Sequence, residues 1–72
     1  MTKKQEKTLV NLLNERFEIA CISDAHQGNE QGSKFLPNNP DYIYYKAIVD
    51  ATEWLGYWVE RNKEGKHFIY KK

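Results

Sequence analysis

Asn39-Pro40-Asp41 opens and Leu55-Gly56 closes one segment, followed by Tyr57-Trp58-Val59-Glu60-Arg61, Asn62-Lys63-Glu64-Gly65 and Lys66-His67-Phe68-Ile69-Tyr70-Lys71-Lys72. This third of the chain decides the fold. Asn39 is a good N-cap, Pro40 suits a first helical position and Asp41 complements the helix dipole. Gly56 fits the left-handed position just past a helix end. The spacing therefore predicts a helix over about residues 40–55. Asn62 to Gly65 reads as a type I turn with a left-handed glycine, which makes a G1-bulge hairpin. That register pairs Val59 with Ile69 and Trp58 with Tyr70. Tyr57, Arg61 and His67 then share the Val59 face; Glu60 and Phe68 share the Trp58 face. Both faces are partly apolar, so the pattern alone does not decide which one meets the helices. A lone hairpin is marginal in water, so one face must pack.

Working outward, Tyr44, Ile48, Ala51 and Leu55 form one stripe of this helix, and Tyr45, Val49 and Thr52 run beside it. Upstream, Leu9, Leu12, Leu13, Phe17 and Ala20 recur at helical spacing, widened by Val10, Ile19 and Ile22. Thr2 followed by Gln5 is a capping-box pattern, so a first helix is expected over about 2–22. Residues 23–39 read as a polar loop punctuated by Gly28, Gly32 and Pro37, with Phe35 and Leu36 available to pin it to the core. These glycines make no phosphate loop, since no Gly-Lys-Ser/Thr follows them. The expected fold class is α+β, ordered α-α-β-β, with residues 1–72 forming one small domain.

A chain of 72 residues buries only about 60 % of its unfolded surface, so its core is thin. Two Trp, five Tyr and three Phe are a high aromatic share for such a core. The net charge of +1 hides basic ends around an acidic middle. If the ends meet in space, they form a modest positive patch. Cys21 is the only cysteine, which excludes an internal disulfide and a cysteine-built zinc site. The N-terminal lysines precede no apolar run, and no stretch approaches the roughly 20 apolar residues of a membrane span. The expected setting is cytoplasmic.

Cys21, Asp24 and His26 lie close in sequence and invite a thiol-catalysis reading. Nothing nearby supplies an oxyanion hole or a supporting shell, so His26 reads as a loop histidine and no enzyme activity is expected. His67, beside lysines and Arg61, reads as a solvent-facing strand residue. No histidine or cysteine spacing matches a metal site, no carboxylate run makes a calcium loop, and no cofactor is expected. A lysine-rich hairpin after a helix also suits a wing that touches nucleic acid, but a winged helix normally brings three helices and only two are predicted.

The aromatic surplus (Tyr42, Tyr45, Trp54, Trp58, Phe68 and Tyr70) points instead to an interaction module, since Tyr, Trp and Arg dominate interface energetics. The candidate partner-binding residues are Trp58, Phe68 and Tyr70, with Arg61, Lys63 and Lys66 around them. The partner would be another protein or a second copy of the chain, with nucleic acid as the alternative. The same rings would equally serve to fill a thin core, and both readings stand at this point. Tyr44-Tyr45-Lys46-Ala47-Ile48, Leu55 to Arg61 and Gly65 to Ile69 together resemble small uncharacterised accessory proteins carried by phages and mobile elements of Gram-positive bacteria. The resemblance covers residues 42–70 and includes no catalytic or ligand motif. It implies an accessory protein that binds a host or phage protein.

Overall fold

A computed structural model describes residues 1–26, 28 and 38–72. Its element order is α1 (Lys3–His26), α2 (Pro40–Trp54), β1 (Tyr57–Arg61) and β2 (His67–Lys71), with the two strands antiparallel. This is the expected α-α-β-β arrangement. The register is also as expected: Trp58 pairs with Tyr70, Val59 with Ile69 and Glu60 with Phe68.

Local chemistry explains the element ends. At the start of α1 the backbone N–H of Gln5 donates to Thr2 Oγ1 at 3.1 Å, and Thr2 N–H donates to Gln5 Oε1 at 2.9 Å. That is a reciprocal capping box. Asn39 caps α2, its Oδ1 accepting from the N–H of Asp41 and Tyr42. Gly56 takes φ +98° just past α2, and Gly65 takes φ +81° to close the hairpin turn. Side chains larger than hydrogen resist both conformations.

The first helix corrects the predicted boundary. It continues past Ile22 to His26, so Ser23, Asp24, Ala25 and His26 are helical rather than loop. The reason is tertiary. Asn39 is fully buried, and its Nδ2 donates to the Ala20 carbonyl and to the Asp24 carboxylate. One side chain thus starts α2 with its oxygen and holds the last turns of α1 with its nitrogen. The remainder of the expected loop, residues 27 and 29–37, lies outside the described residues, Phe35 and Leu36 included.

The buried stripes follow. On α1, Leu13 and Ala20 are buried, with Leu9, Leu12 and Phe17 half-buried beside them, as the spacing predicts. On α2 the inward stripe is Tyr45, Val49 and Thr52, with Ile48 half-buried. Tyr44, Ala51 and Leu55, expected to share a stripe with Ile48, are exposed. Periodicity defined both stripes but not the rotation of the helix about its axis. Contacts with α1 and β1 set that rotation. Tyr44 ends at the outer seam, where the Arg16 guanidinium lies 4.5 Å above its ring.

Among the described residues, buried polar groups (Asp24, Asn39, Thr52, His67) outnumber buried apolar ones (Leu13, Ala20, Val49). Each of these polar side chains is hydrogen-bonded, and Thr52 Oγ1 donates to the Ile48 carbonyl at 2.8 Å. So thin an apolar core cannot alone fix how the elements dock. Satisfied buried polar groups add that specificity, because each would be costly to leave unpaired. No helix among the described residues is long and apolar enough to cross a membrane.

Candidate interaction face

The hairpin has one face on the helices and one toward solvent. Alternation along a strand sends successive side chains to opposite faces. The odd-numbered residues go inward. Tyr57, Val59 and Ile69 are half-buried and His67 is 4 % exposed. The even-numbered residues go outward.

His67 explains the choice. Its backbone N–H donates to Asn14 Oδ1 at 2.8 Å, and the same oxygen lies 2.8 Å from the ring Nδ1. An oxygen that accepts from the backbone also accepts from the ring, so Nδ1 carries the proton. Nε2, left as an acceptor, receives the Tyr45 hydroxyl at 2.8 Å. Phe17 packs edge-on against both rings, at 5.3 Å from Tyr45 and 5.4 Å from His67. One side chain thereby joins α1, α2 and β2. Burial first, and then the nearby Arg61 charge, push the His67 pKa below its usual range; burial pushes the Tyr45 phenol up. The expectation of a solvent-facing His67 is corrected. Sequence patterning missed Asn14, a polar residue inside the apolar stripe of α1. That position was the available signal, since a polar residue among buried neighbours implies a buried partner.

On the outward face stand Trp58, Phe68 and Tyr70, with 45 %, 41 % and 44 % of their surfaces exposed. The Phe68 and Tyr70 rings lie 6.0 Å apart and 25° from parallel. Trp58 is the cross-strand partner of Tyr70. Glu60 belongs to the same face, and its carboxylate beside Tyr70 raises the phenol pKa. The Lys72 ammonium sits 4.4 Å above the Trp58 ring. Lys72 also borders a shallow hollow shared with Trp54, which is 93 % exposed. The aromatic surface therefore runs from the end of α2 across the hairpin.

The cations divide. Lys63 and Lys66 are exposed in the turn. Arg61 is not on the aromatic face: its guanidinium lies 4.3 Å above Phe17, on the helix side. The cation beside the Trp58 ring is Lys72, which is not among the candidate partner-binding residues. The basic chain ends do meet. Lys3 and Lys7 of α1 line a hollow of about 380 Å³ with Phe68, and Lys71 borders another with Met1 and Gln5.

Cys21, Asp24 and His26 all lie on the last turns of α1. Burial raises the Cys21 thiol pKa, with Arg61 opposing and Asp24 and Glu18 adding to the rise. Asp24 is engaged by Asn39, and His26 is exposed at the helix end. No cluster of potential metal ligands exists among the described residues. The outward face of the hairpin thus carries exposed rings with cations beside them. No family model, curated protein or solved structure matches the chain.

Proposed function

We propose that this protein is a small, non-catalytic interaction module that binds a protein partner through the outward face of its hairpin. The observation that carries the reading is the exposure of Trp58, Phe68 and Tyr70 on one side of a sheet whose other side already holds the fold. All three rings keep more than 40 % of their surface open, and Trp54 is a further exposed ring. Aromatic anchors of this kind dominate binding energy when a partner covers them. Lys63, Lys66 and Lys72 surround them and would set association rate and salt dependence more than affinity. The resemblance to accessory proteins of mobile elements fits a host or phage protein as that partner.

The test compares the chain with Trp58→Ala and with Lys63→Ala/Lys66→Ala. Partners are captured from host lysate and binding is then measured in purified form. The Trp58 change should cost about 2 kcal/mol or more of binding, while the lysine pair weakens it mildly. Single-stranded oligonucleotides are titrated in parallel. If they bind with affinity that falls steeply with salt and collapses in the lysine variant, the surface is a nucleic-acid platform and the proposal fails.

A further inference from the structure

The two edges of the hairpin differ. Asn62 N–H donates to the Lys66 carbonyl and Lys72 N–H to the Gly56 carbonyl, both at 2.9 Å. These bonds fix the parity of the ladder between them. Trp58 and Glu60 direct their backbone groups at Tyr70 and Phe68, whereas Tyr57, Val59 and Arg61 direct theirs away from β2. The same parity turns His67, Ile69 and Lys71 outward on β2. There the Asn14 side chain already occupies the His67 N–H. On β1, no hydrogen bond among the described residues uses the outward N–H or carbonyl of Tyr57, Val59 or Arg61. The strand contains neither proline nor a bulge, two devices that commonly blunt an edge.

We propose that the β1 edge pairs with the same edge of a second copy, antiparallel, about a two-fold axis at Val59. The segment is complementary to itself in this register. Val59 faces the partner's Val59, Tyr57 faces the partner's Arg61, and Trp58 faces the partner's Glu60. No like charges stand opposite, and each charged residue of the strand meets an aromatic one. Three residue pairs exchange the backbone bonds that the single chain leaves unmade. An isologous contact closes at two copies rather than growing into a filament. The axis runs perpendicular to the sheet, so the product is a four-stranded sheet with both aromatic faces on one side. Trp58, Phe68 and Tyr70 of each copy then form one continuous surface. Pairing through one short strand edge is a small contact, so association should be weak and concentration-dependent.

Sedimentation equilibrium from about 10 μM to about 1 mM tests it, a range that brackets weak self-association. The mass should rise from one chain toward two. Val59→Pro removes an outward N–H, a position where an edge strand tolerates proline, and should raise the dissociation constant about tenfold or more. Trp58→Ala removes only the side-chain pair with the partner's Glu60 and should weaken the dimer less than Val59→Pro does, because the pairing backbone stays intact. If Val59→Pro fails to fold, the unaltered chain still decides. In a mixed labelled and unlabelled sample, an intermolecular Hα–Hα contact should join Trp58 to Glu60, and Val59 amide exchange should slow as concentration rises. A chain that stays monomeric to the top of the range overturns the inference. So does a dimer whose intermolecular contacts join the rings and which Trp58→Ala abolishes. A monomer that still binds a protein through Trp58 would end this inference and leave the proposed function standing.

Discussion

The two faces of the hairpin carry nearly the same kinds of residue and have opposite fates. The helix side holds Tyr57, Val59, Arg61, His67, Ile69 and Lys71; the solvent side holds Trp58, Glu60, Phe68 and Tyr70. By hydrophobicity alone the solvent side, with three large rings, would be the better one to bury. The side that packs is the one whose polar groups find partners. His67 meets Asn14 and Tyr45, Arg61 covers Phe17, and the Tyr57 hydroxyl reaches toward Glu6 at 3.5 Å. In a domain with so little apolar core, hydrogen-bond satisfaction selects between packings that area would rank the other way.

The sharpest way to break that comparison is to remove the buried link. His67→Ala removes the acceptor of the Tyr45 hydroxyl and leaves Asn14 Oδ1 with only the backbone N–H of residue 67. The expected loss is about 2–4 kcal/mol in urea unfolding, from unsatisfied groups plus a cavity. A 72-residue domain holds only about 4–11 kcal/mol in all, so this change approaches the whole stability. If His67→Ala costs no more than an exposed-residue change, the account of the packing choice is wrong.

Next comes Asn39, which joins the helices as His67 joins helices to sheet. Asn39→Ala should cost about 2–3 kcal/mol, combining a lost N-cap with the lost buried hydrogen bonds to the last turns of α1. Asn39→Asp keeps the cap oxygen but sets a carboxylate against Asp24. It should destabilise at neutral pH at least as much as alanine, which thermal melts would show. A milder effect than alanine would mean that the cap matters and the tie to α1 does not.

These two residues also mark how far the sequence could be read. Asn39, Gly56 and Gly65 act through backbone geometry within a few residues, so element order and strand register were legible. What Asn39 does with its amide nitrogen, and where Asn14 and His67 meet, depends on residues 15 to 53 positions apart. No local pattern encodes such pairings. The same limit explains why α1 extends beyond Ile22 and why the inward stripe of α2 is centred on Tyr45 and Val49 rather than on Tyr44 and Leu55. The aromatic members of the candidate face could be grouped by register alone. Lys72 in place of Arg61 could not, because a flexible cation goes where a ring lies within reach.

A gentler probe of the buried link is pH. His67 has a pKa below the usual 6.5 in the folded chain, chiefly through burial. Below that value the unfolded chain binds a proton that the folded chain does not. The histidine's contribution is therefore fully present above about pH 6.5 and lost as pH falls through the lowered folded value. Melting temperature should decline over that window, and His67→Gln should decline less. An unchanged slope in the variant would place the acid sensitivity elsewhere.

The smallest expected effect belongs to the solvent side, and its smallness is the point. Trp58 touches Lys72 and its strand neighbours but seals no cavity, and a cation–π contact at so exposed a site contributes about 0.5–1 kcal/mol. Trp58→Ala should therefore lower stability by about 1 kcal/mol or less, and Phe68→Ala by a similar amount, in the same urea measurement. Set beside the loss from His67→Ala, that small cost would show that the rings on the open face are not what holds the monomer together. A loss of 3 kcal/mol or more from Trp58→Ala, on the scale of a truncated core ring, would instead make the outward face part of the fold and remove the ground for treating it as a surface kept for a partner.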